Sequence, residues 1–262
     1  MKAKFAAFGT HLAISVLIIL AFLTITFFVW YPYPYFDIHG GRDILTILVT
    51  VDLVLGPLLT LVVFKPGKPG LKFDLSCIAI AQIAALLYGG LVIFNQRPVV
   101  IAFVVDRFNI MSAKDIDLSH LKNEQLRNNK ALHDVFRIGP LPVYVSMPEG
   151  EEREKLMTSI VLEGAPDMQY RTEYYEPYEP NLEQVLTHGV KLDQLAAATQ
   201  QAVQDQLSKI GGRPENYAYL PLQGTNTDAL MIISKGNGQT VATLEVDPWA
   251  KKTTQVATLD NL

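Results

Sequence analysis

The sequence predicts an α-helical membrane domain with three transmembrane helices, followed by an α+β domain outside the cytoplasm. Three observations favour this fold class: three long apolar segments, a change in composition near residue 97, and short β-branched runs in the C-terminal part. We therefore expect a membrane domain at residues 1–97 and a periplasmic α+β domain at 98–262. The expected transmembrane helices lie near residues 8–31, 44–64 and 75–95.

Each apolar segment is long enough to cross a bilayer. The segments comprise residues 12–30, 44–64 and 75–94, and about 20 helical residues span a hydrocarbon core of about 30 Å. An aromatic run at 30–36, rather than a small-residue cleavage site, follows the first segment. We interpret that segment as a retained helix with an interfacial aromatic belt, not as a cleaved signal peptide.

The positions of the cationic side chains predict the orientation. The N-terminus carries Lys2 and Lys4, and the second loop carries three lysines within residues 65–72, whereas the first loop offers only Arg42. The positive-inside rule therefore places the N-terminus and the second loop in the cytoplasm. With three crossings, the chain after residue 95 lies outside, which is the periplasm if the membrane is a bacterial inner membrane.

Charge and residue usage argue against several functional classes. Acidic side chains outnumber basic ones after residue 96, and an acidic surface argues against nucleic acid as a partner. The single cysteine, Cys77, lies in an apolar segment, so the outer domain has neither a disulfide nor a thiol nucleophile. The five histidines show no metal-ligand spacing. We therefore predict a protein that is not an enzyme, without catalytic residues, metal or cofactor.

The outer domain is expected to contain both strands and helices. β-branched and aromatic runs predict strands at residues 99–105, 141–147, 217–222, 229–234 and 240–246. The Asn237-Gly238 pair indicates a hairpin turn between the last two strands. Helices are expected at 151–162 and, as a longer one ended by Gly211-Gly212, within 182–210.

Three other segments of the outer domain carry weaker signals. Residues 112–134 are polar with a helical tendency, and the Pro/Tyr/Glu-rich residues 170–180 predict an exposed loop. We interpret Asp106-Arg107 as a local ion pair or a feature of the end of a strand.

Asp52 is an acidic residue deep in the second apolar segment. At about 1.5 Å per residue it lies about 12 Å from the outer face and about 18 Å from the inner face. An ionised aspartate there costs about 2.5–3.5 kcal/mol on insertion scales, so we expect it to face protein. Two readings stay open: a functional contact, or a protonated aspartate that hydrogen-bonds a neighbouring helix for packing. A protease dyad with Asp74 is excluded, because the two residues differ by about 18 Å in depth.

Two further features of the apolar segments could receive a partner helix. Gly56-Pro57 follows Asp52, and Pro57 removes the N–H that would bond the carbonyl of Leu53. This patch could bind another helix or be an ordinary kink. Small residues recur every four positions in the third segment, and this stripe could pack against the chain's own helices or against a partner. Its members are Cys77, Ala81, Ala85 and Gly89.

Several motifs together resemble the type IV pilin accessory protein family (TfpX/TfpZ, with FimB-like members). They lie at residues 1–4, 11–12, 28–32, 52–60, 65–68, 71–75 and 106–108. The resemblance implies a bacterial inner-membrane protein encoded with a type IV pilin, which assists pilin stability, pilus assembly or pilus dynamics such as twitching motility. It implies no catalytic residues.

The resulting hypothesis is a non-enzymatic membrane chaperone or assembly modulator that binds a type IV pilin subunit in the membrane and in the periplasm. Other pilus assembly proteins and membrane lipid are further expected partners. The alternatives are a membrane-anchored sensor or envelope-binding module and, less favoured, a hydrolase in the outer domain. The predicted partner-binding residues are Asp52, Gly56, Pro57, Ala81, Ala85 and Gly89.

The predicted orientation can be tested by thiol labelling in a Cys77→Ser background. A cysteine at Gly236 should react with a membrane-impermeant thiol reagent in cells with a permeabilised outer membrane, because this turn is expected outside the cytoplasm. A cysteine at Gly67, in the lysine-rich loop, should react only after cell lysis. The reverse labelling pattern would contradict the orientation inferred from the lysines.

Overall fold

The computed structural model describes residues 1–250, which form two compact units. The helical unit contains Met1–Val99 together with two short segments from later in the chain, Ser112–Lys114 and Asp134–Gly139. The sheet unit contains Val100–Met111, Asp115–His133 and the described residues from Pro140 onward.

Three long apolar segments dominate the helical unit. The first is α1 (Lys2–Ile25), continued by a π-helical turn at Thr26–Trp30. A short helix, α2 (Tyr35–His39), follows. The second segment consists of α3 (Arg42–Thr50), a π-helical turn at Val51–Leu55 and α4 (Gly56–Val63), and the third is α5 (Leu71–Gln96).

These three segments have the length and composition of membrane spans. The most apolar 18-residue stretches of these segments have mean hydropathies of 2.9, 2.3 and 2.2. No more than 28% of the most apolar stretch of any segment is buried inside the protein, so most apolar side chains point outward, as lipid contact requires. The sequence-based prediction of three apolar helices is thus confirmed.

Aromatic packing joins the C-terminal ends of the first and third segments. Tyr31 and Ile93 are almost fully buried, and the Tyr31 hydroxyl donates a hydrogen bond to the Ile93 carbonyl oxygen at 3.0 Å. The rings of Trp30 and Phe94 meet edge to face with centroids 5.1 Å apart. This contact ties the end of the first segment to the end of the third.

The sheet unit is built on a seven-stranded sheet in the order β4-β3-β1-β2-β5-β6-β7. β1 pairs with β3 and β2 with β5 in parallel, whereas β3–β4, β5–β6 and β6–β7 are antiparallel. The strands are β1 (Pro98–Val104), β2 (Arg107–Ser112), β3 (Leu141–Val145), β4 (Tyr175–Pro177), β5 (Tyr217–Gln223), β6 (Ala229–Ser234) and β7 (Thr240–Leu244).

Helices accompany the sheet, which confirms an α+β domain. They are α6 (Glu124–Arg127), α7 (Lys130–His133), α8 (Gly150–Glu163), α9 (Leu182–Thr187) and α10 (Ala197–Ile210). Val203 and Leu207 of α10 pack with Leu230 and Ile232 of β6 in a buried apolar cluster. α10 ends at Gly211, whose φ of 67° is the left-handed conformation expected of a glycine at a helix C-terminus.

One expectation for the sheet unit was wrong. Residues 170–180 are not an exposed loop: they contain β4, and Tyr175 and Tyr178 are buried. These tyrosines are tolerated inside because each hydroxyl finds an acceptor, the carbonyls of Gln169 and Gly238 respectively.

Strand β2 was also missed by the sequence analysis. Its polar members Asn109 and Ser112 interrupt the apolar pattern, although both are buried in the structure. The Asp106–Arg107 ion pair lies at its start, with Arg107 Nε 2.8 Å from Asp106 Oδ1, as the sequence suggested.

Candidate functional site

Asp52 is buried in the middle of the second apolar segment. Its residue is 5% exposed, and it lies in the π-helical turn that connects α3 to α4. Gln82 of α5 reaches it with its side-chain amide, donating to the Asp52 carbonyl oxygen at 3.3 Å and to Oδ1 at 3.4 Å. The only acidic side chain within the apolar run 44–64 therefore contacts the third segment.

Pro57 explains why the backbone carbonyl of Asp52 needs a hydrogen-bond donor from a side chain. In the π-helical turn the Gly56 N–H bonds the carbonyl of Val51, five residues earlier, instead of the carbonyl of Asp52. The next donor in that register would be residue 57, but proline has no N–H. The Asp52 carbonyl is therefore left without a backbone donor in its own helix, and Gln82 supplies one.

A second polar pair connects the first segment to the second segment. His11 Nδ1 of α1 lies 2.6 Å from the hydroxyl of Thr60 in α4, and Thr60 is 3% exposed. His11 also interacts electrostatically with Asp52. His11, Asp52, Thr60 and Gln82 thus form one group, contributed by all three apolar segments, which we call the polar layer.

Two glycines permit the close approach of α5. A side chain at Gly56 would collide with the Gln82 carboxamide. A Cβ at Gly89 would lie 2.8 Å from Leu48 Cδ1, which is too close for carbon atoms. Small residues at such crossings let helices pack tightly in lipid, where no hydrophobic effect drives them together.

The structure separates the predicted site residues into two groups. Asp52, Gly56, Pro57 and Gly89 are buried inside the helical unit. Ala81 is exposed and Ala85 is half-buried, since a four-residue repeat drifts around a helix of 3.6 residues per turn. Cys77, at the other end of the stripe, is exposed.

Sequence reasoning missed three members of the polar layer: His11, Thr60 and Gln82. Gln82 carried the clearest signal, because it is an amide in an otherwise apolar segment. His11 and Thr60 are ambiguous in sequence, since both residue types also occur on helix surfaces and at helix ends. The Asp74 side chain, in the first turn of α5, pairs with Lys68 at 2.6 Å and does not join the polar layer.

The sheet unit offers a cleft of about 600 Å³ beside Trp249. Asp106, His188 and Gln194 contribute to its lining. Trp249 is held in place by an indole N–H bond to Asp228 at 2.8 Å and by the Arg107 guanidinium, 4.5 Å from a Trp249 ring centroid. Within residues 1–250, no group of three or more potential metal ligands occurs.

Buried tyrosines of the sheet unit act as structural hydrogen-bond donors. Burial raises the pKa of Tyr178 and of Tyr219 to about 12, so both hydroxyls stay protonated at neutral pH. The Tyr219 hydroxyl donates to the carbonyl of Pro214 at 3.1 Å. These hydroxyls are therefore engaged in the fold and are not poised as bases.

The close packing at Gly56 predicts that substitutions of two glycines change stability differently. Gly56→Ala should lower the melting temperature of the protein in detergent by several degrees, because the methyl group displaces Gln82 from Asp52. Gly9→Ala is the control: a Cβ there meets nothing within 4 Å, so the better helix propensity of alanine should leave stability unchanged or raise it slightly. Equal melting temperatures for both variants would contradict the close packing at Gly56.

Comparisons with known proteins identify relatives of this chain. A family model described as "Fimbrial assembly protein FimB" matches residues 1–40. The chain is 31% identical over 251 residues to the fimbrial assembly protein of serogroup E1 of Dichelobacter nodosus, covering 91% of this chain and 93% of the relative. It is 30% identical, with the same coverage, to the protein of serogroup I.

A third relative matches a shorter part of this chain. The protein of serogroups C1 and C2 from the same organism is 36% identical over 116 residues, covering 43% of this chain and 88% of the relative. No solved structure matches. The identity extends along nearly the whole length of two relatives, and the chain therefore belongs to the fimbrial assembly protein family.

Proposed function

We propose that this protein is a non-enzymatic inner-membrane accessory protein for a type IV pilin, and that it acts in pilus biogenesis as a chaperone or assembly modulator. Its relatives are named fimbrial assembly proteins, which supports a role in pilus biogenesis. The polar layer is the observation that carries the mechanism, because its buried hydrogen bonds hold α5, whose exposed small residues a membrane-anchored pilin helix could contact.

The layout of the chain suits a partner with one transmembrane helix and a periplasmic head. The three apolar helices suggest membrane association, and the lysines support a cytoplasmic N-terminus. In this orientation the sheet unit lies in the periplasm, on the same side as the head of a pilin subunit that awaits assembly. Both parts of the pilin would then be within reach.

The hydrogen bonds within the polar layer are weak enough to be exchanged for hydrogen bonds to a partner helix. The two bonds from Gln82 are long, at 3.3 and 3.4 Å, and interhelical hydrogen bonds in membranes contribute on average only about 0.6 kcal/mol. A pilin helix that carries a hydrogen-bond donor could therefore replace Gln82 on Asp52, so that the Asp52 carbonyl keeps a donor throughout the exchange. The packing role and the functional role of Asp52 are compatible in this proposal.

The exposed small residues of α5 supply the docking surface in the membrane. Ala81 is exposed and Ala85 is half-buried, and they are one turn apart on the helix that carries Gln82. Their methyl side chains would let the backbone of a pilin helix come close to α5. Asp52, Gly56, Pro57 and Gly89 would hold α5 in the position that presents this surface.

A membrane contact of this kind is weak alone, so we propose a second contact in the periplasm. Both proteins are anchored in one membrane, and the first contact raises the effective concentration for the second. The cleft beside Trp249 is the concave surface in the sheet unit that we assign to this role, because aromatic side chains are enriched where proteins bind partners.

The same cleft favours a second candidate function, a membrane-anchored sensor or envelope-binding module. Its volume of about 600 Å³ lies within the usual range of small-molecule sites, about 300–1,000 Å³. His188, Asp106 and Trp249 would give such a ligand both polar and aromatic contacts. This function would not require a pilin to be bound.

Photocrosslinking in cells distinguishes these functions. A photoreactive residue at Ala85 and another at Gln194, in the cleft, should each form an adduct with the pilin. The control is Leu17, which is 69% exposed on α1 and should give little adduct. Adducts at only one of the two positions would contradict the two-surface proposal, and absence of any pilin adduct would favour the sensor.

Substitution of Asp52 tests the role of the polar layer in piliation. Asp52→Ala should leave the protein inserted at normal levels but lower surface pilin, because a polar helix contact is lost while the apolar segment becomes more apolar. Asp52→Asn should have a milder effect, since an amide still forms hydrogen bonds. Protein level and surface pilin are measured by immunoblotting. Normal piliation in Asp52→Ala would show that the residue serves packing alone.

A further inference from the structure

A short segment of the chain returns to the helical unit far from the apolar segments in sequence. Asp134–Gly139 lies between α7 and β3, yet it belongs to the helical unit, whereas the residues on both sides of it belong to the sheet unit. A Cβ at Gly139 would be 3.5 Å from Pro32 Cγ, and Arg137 interacts electrostatically with Tyr35. The segment thus packs beside residues that directly follow the first apolar helix.

This segment exposes apolar side chains. Phe136 is 72% exposed, Ile138 is 70% exposed and Val135 is 40% exposed. The turn is nevertheless ordered: the Phe136 N–H donates to Asp134 Oδ1 at 2.9 Å, and the Arg137 N–H donates to the Asp134 carbonyl at 3.2 Å. These hydrogen bonds fix the backbone of the turn. Phe136 and Ile138 stay exposed in this turn, although apolar side chains of this size are usually buried.

The neighbouring residues are those of a membrane interface. The first apolar helix ends at Trp30, whose ring packs against Phe94 near the end of the third. Arg97 follows the third helix, and its guanidinium lies 3.7 Å from the centroid of the Phe94 ring. Tyr33 is 79% exposed. Tryptophan, tyrosine and arginine at helix ends are typical of the headgroup level of a bilayer.

We propose that Val135, Phe136 and Ile138, together with Tyr33, form an interfacial anchor that inserts into the outer-leaflet headgroup boundary of the membrane. The occupant of this apolar patch is lipid, because the segment packs beside Pro32 and Tyr35, directly after the first apolar helix, and its apolar side chains are exposed there. The predicted orientation places this end of the helix at the outer face of the membrane. The chain therefore touches the membrane a second time between α7 and β3, in addition to its three helices.

The order of apolar and cationic side chains in the segment suits a position at the headgroup boundary. Arg137 stands between two exposed apolar residues, and it is half-buried among protein atoms. Its Nη1 atom is buried and has no hydrogen-bond partner among the described residues. Segments that lie in the bilayer interface without crossing it combine apolar side chains with cations in this way. The anchor does not depend on pilin binding, so it can be tested separately from the proposed function.

The test measures the depth of a fluorophore in the full-length protein. In a Cys77→Ser background, Phe136→Cys and Ile138→Cys are labelled with an environment-sensitive dye after reconstitution into vesicles of phosphatidylethanolamine and phosphatidylglycerol. We expect blue-shifted emission and quenching by lipids that carry a nitroxide near the headgroup, several-fold stronger than at a label on Gly236→Cys. Both wild-type side chains are mostly exposed, so their replacement removes little packing.

Two results would overturn the proposal. Emission and quenching equal to those of the Gly236 label would place the segment in water. Labels shielded from both the lipid nitroxide and an aqueous quencher would show that protein, such as a second copy of this chain, covers the patch. A far-UV circular dichroism spectrum equal to that of the unlabelled protein serves as the folding control.

Discussion

The organisation of the helical unit depends on how the chain satisfies one backbone carbonyl inside an apolar environment. Pro57 cannot donate a hydrogen bond, and the π-helical turn at Val51–Leu55 gives the Gly56 N–H to Val51, so the Asp52 carbonyl needs a donor from elsewhere. Gln82 provides it and bonds the Asp52 carboxyl group as well. An unsatisfied carbonyl in lipid costs several kcal/mol, which makes this contact between the second and third segments a structural requirement.

The other features of the unit follow from that contact. Gly56 must lack a side chain because Gln82 occupies the space beside it, and Gly89 brings α5 against Leu48 further along. His11 and Thr60 connect the first segment to the second, about two helical turns after Asp52. A fixed α5 presents Ala81 and Ala85 outward, and in our proposal this surface receives the pilin helix. In this proposal the hydrogen bonds that Asp52 makes in the fold are also those on which pilin docking depends.

The features that depend on local composition could be predicted from the sequence. Contacts between segments that are distant in sequence could not. Hydropathy located the three apolar helices, and the conflict between Asp52 and its apolar surroundings marked the level of the polar layer. The partners Gln82, His11 and Thr60 could not be assigned, because sequence does not say which helix faces pair. The orientation in the membrane, the boundary at residue 97 and the partner-binding residues stay predictions.

In the sheet unit the same limit applies to polar and aromatic residues. Residues 170–180 look solvent-exposed by composition, but Tyr175 and Tyr178 are buried. Their hydroxyls donate hydrogen bonds to the nearby carbonyl of Gln169 and to the carbonyl of Gly238, which is distant in sequence. Strand β2 carries Asn109 and Ser112 in a buried setting that only its neighbours in the sheet create. Periodicity alone could not have found either element.

The most direct test of the central claim is whether the polar layer controls pilin docking on α5. The measurement is the yield of pilin adduct from a photoreactive residue at position 85, at equal protein levels, in the wild-type, Asp52→Asn and Asp52→Ala backgrounds. Our account predicts a several-fold loss of adduct in Asp52→Ala and an intermediate yield in Asp52→Asn. Equal yields in all three backgrounds would contradict it.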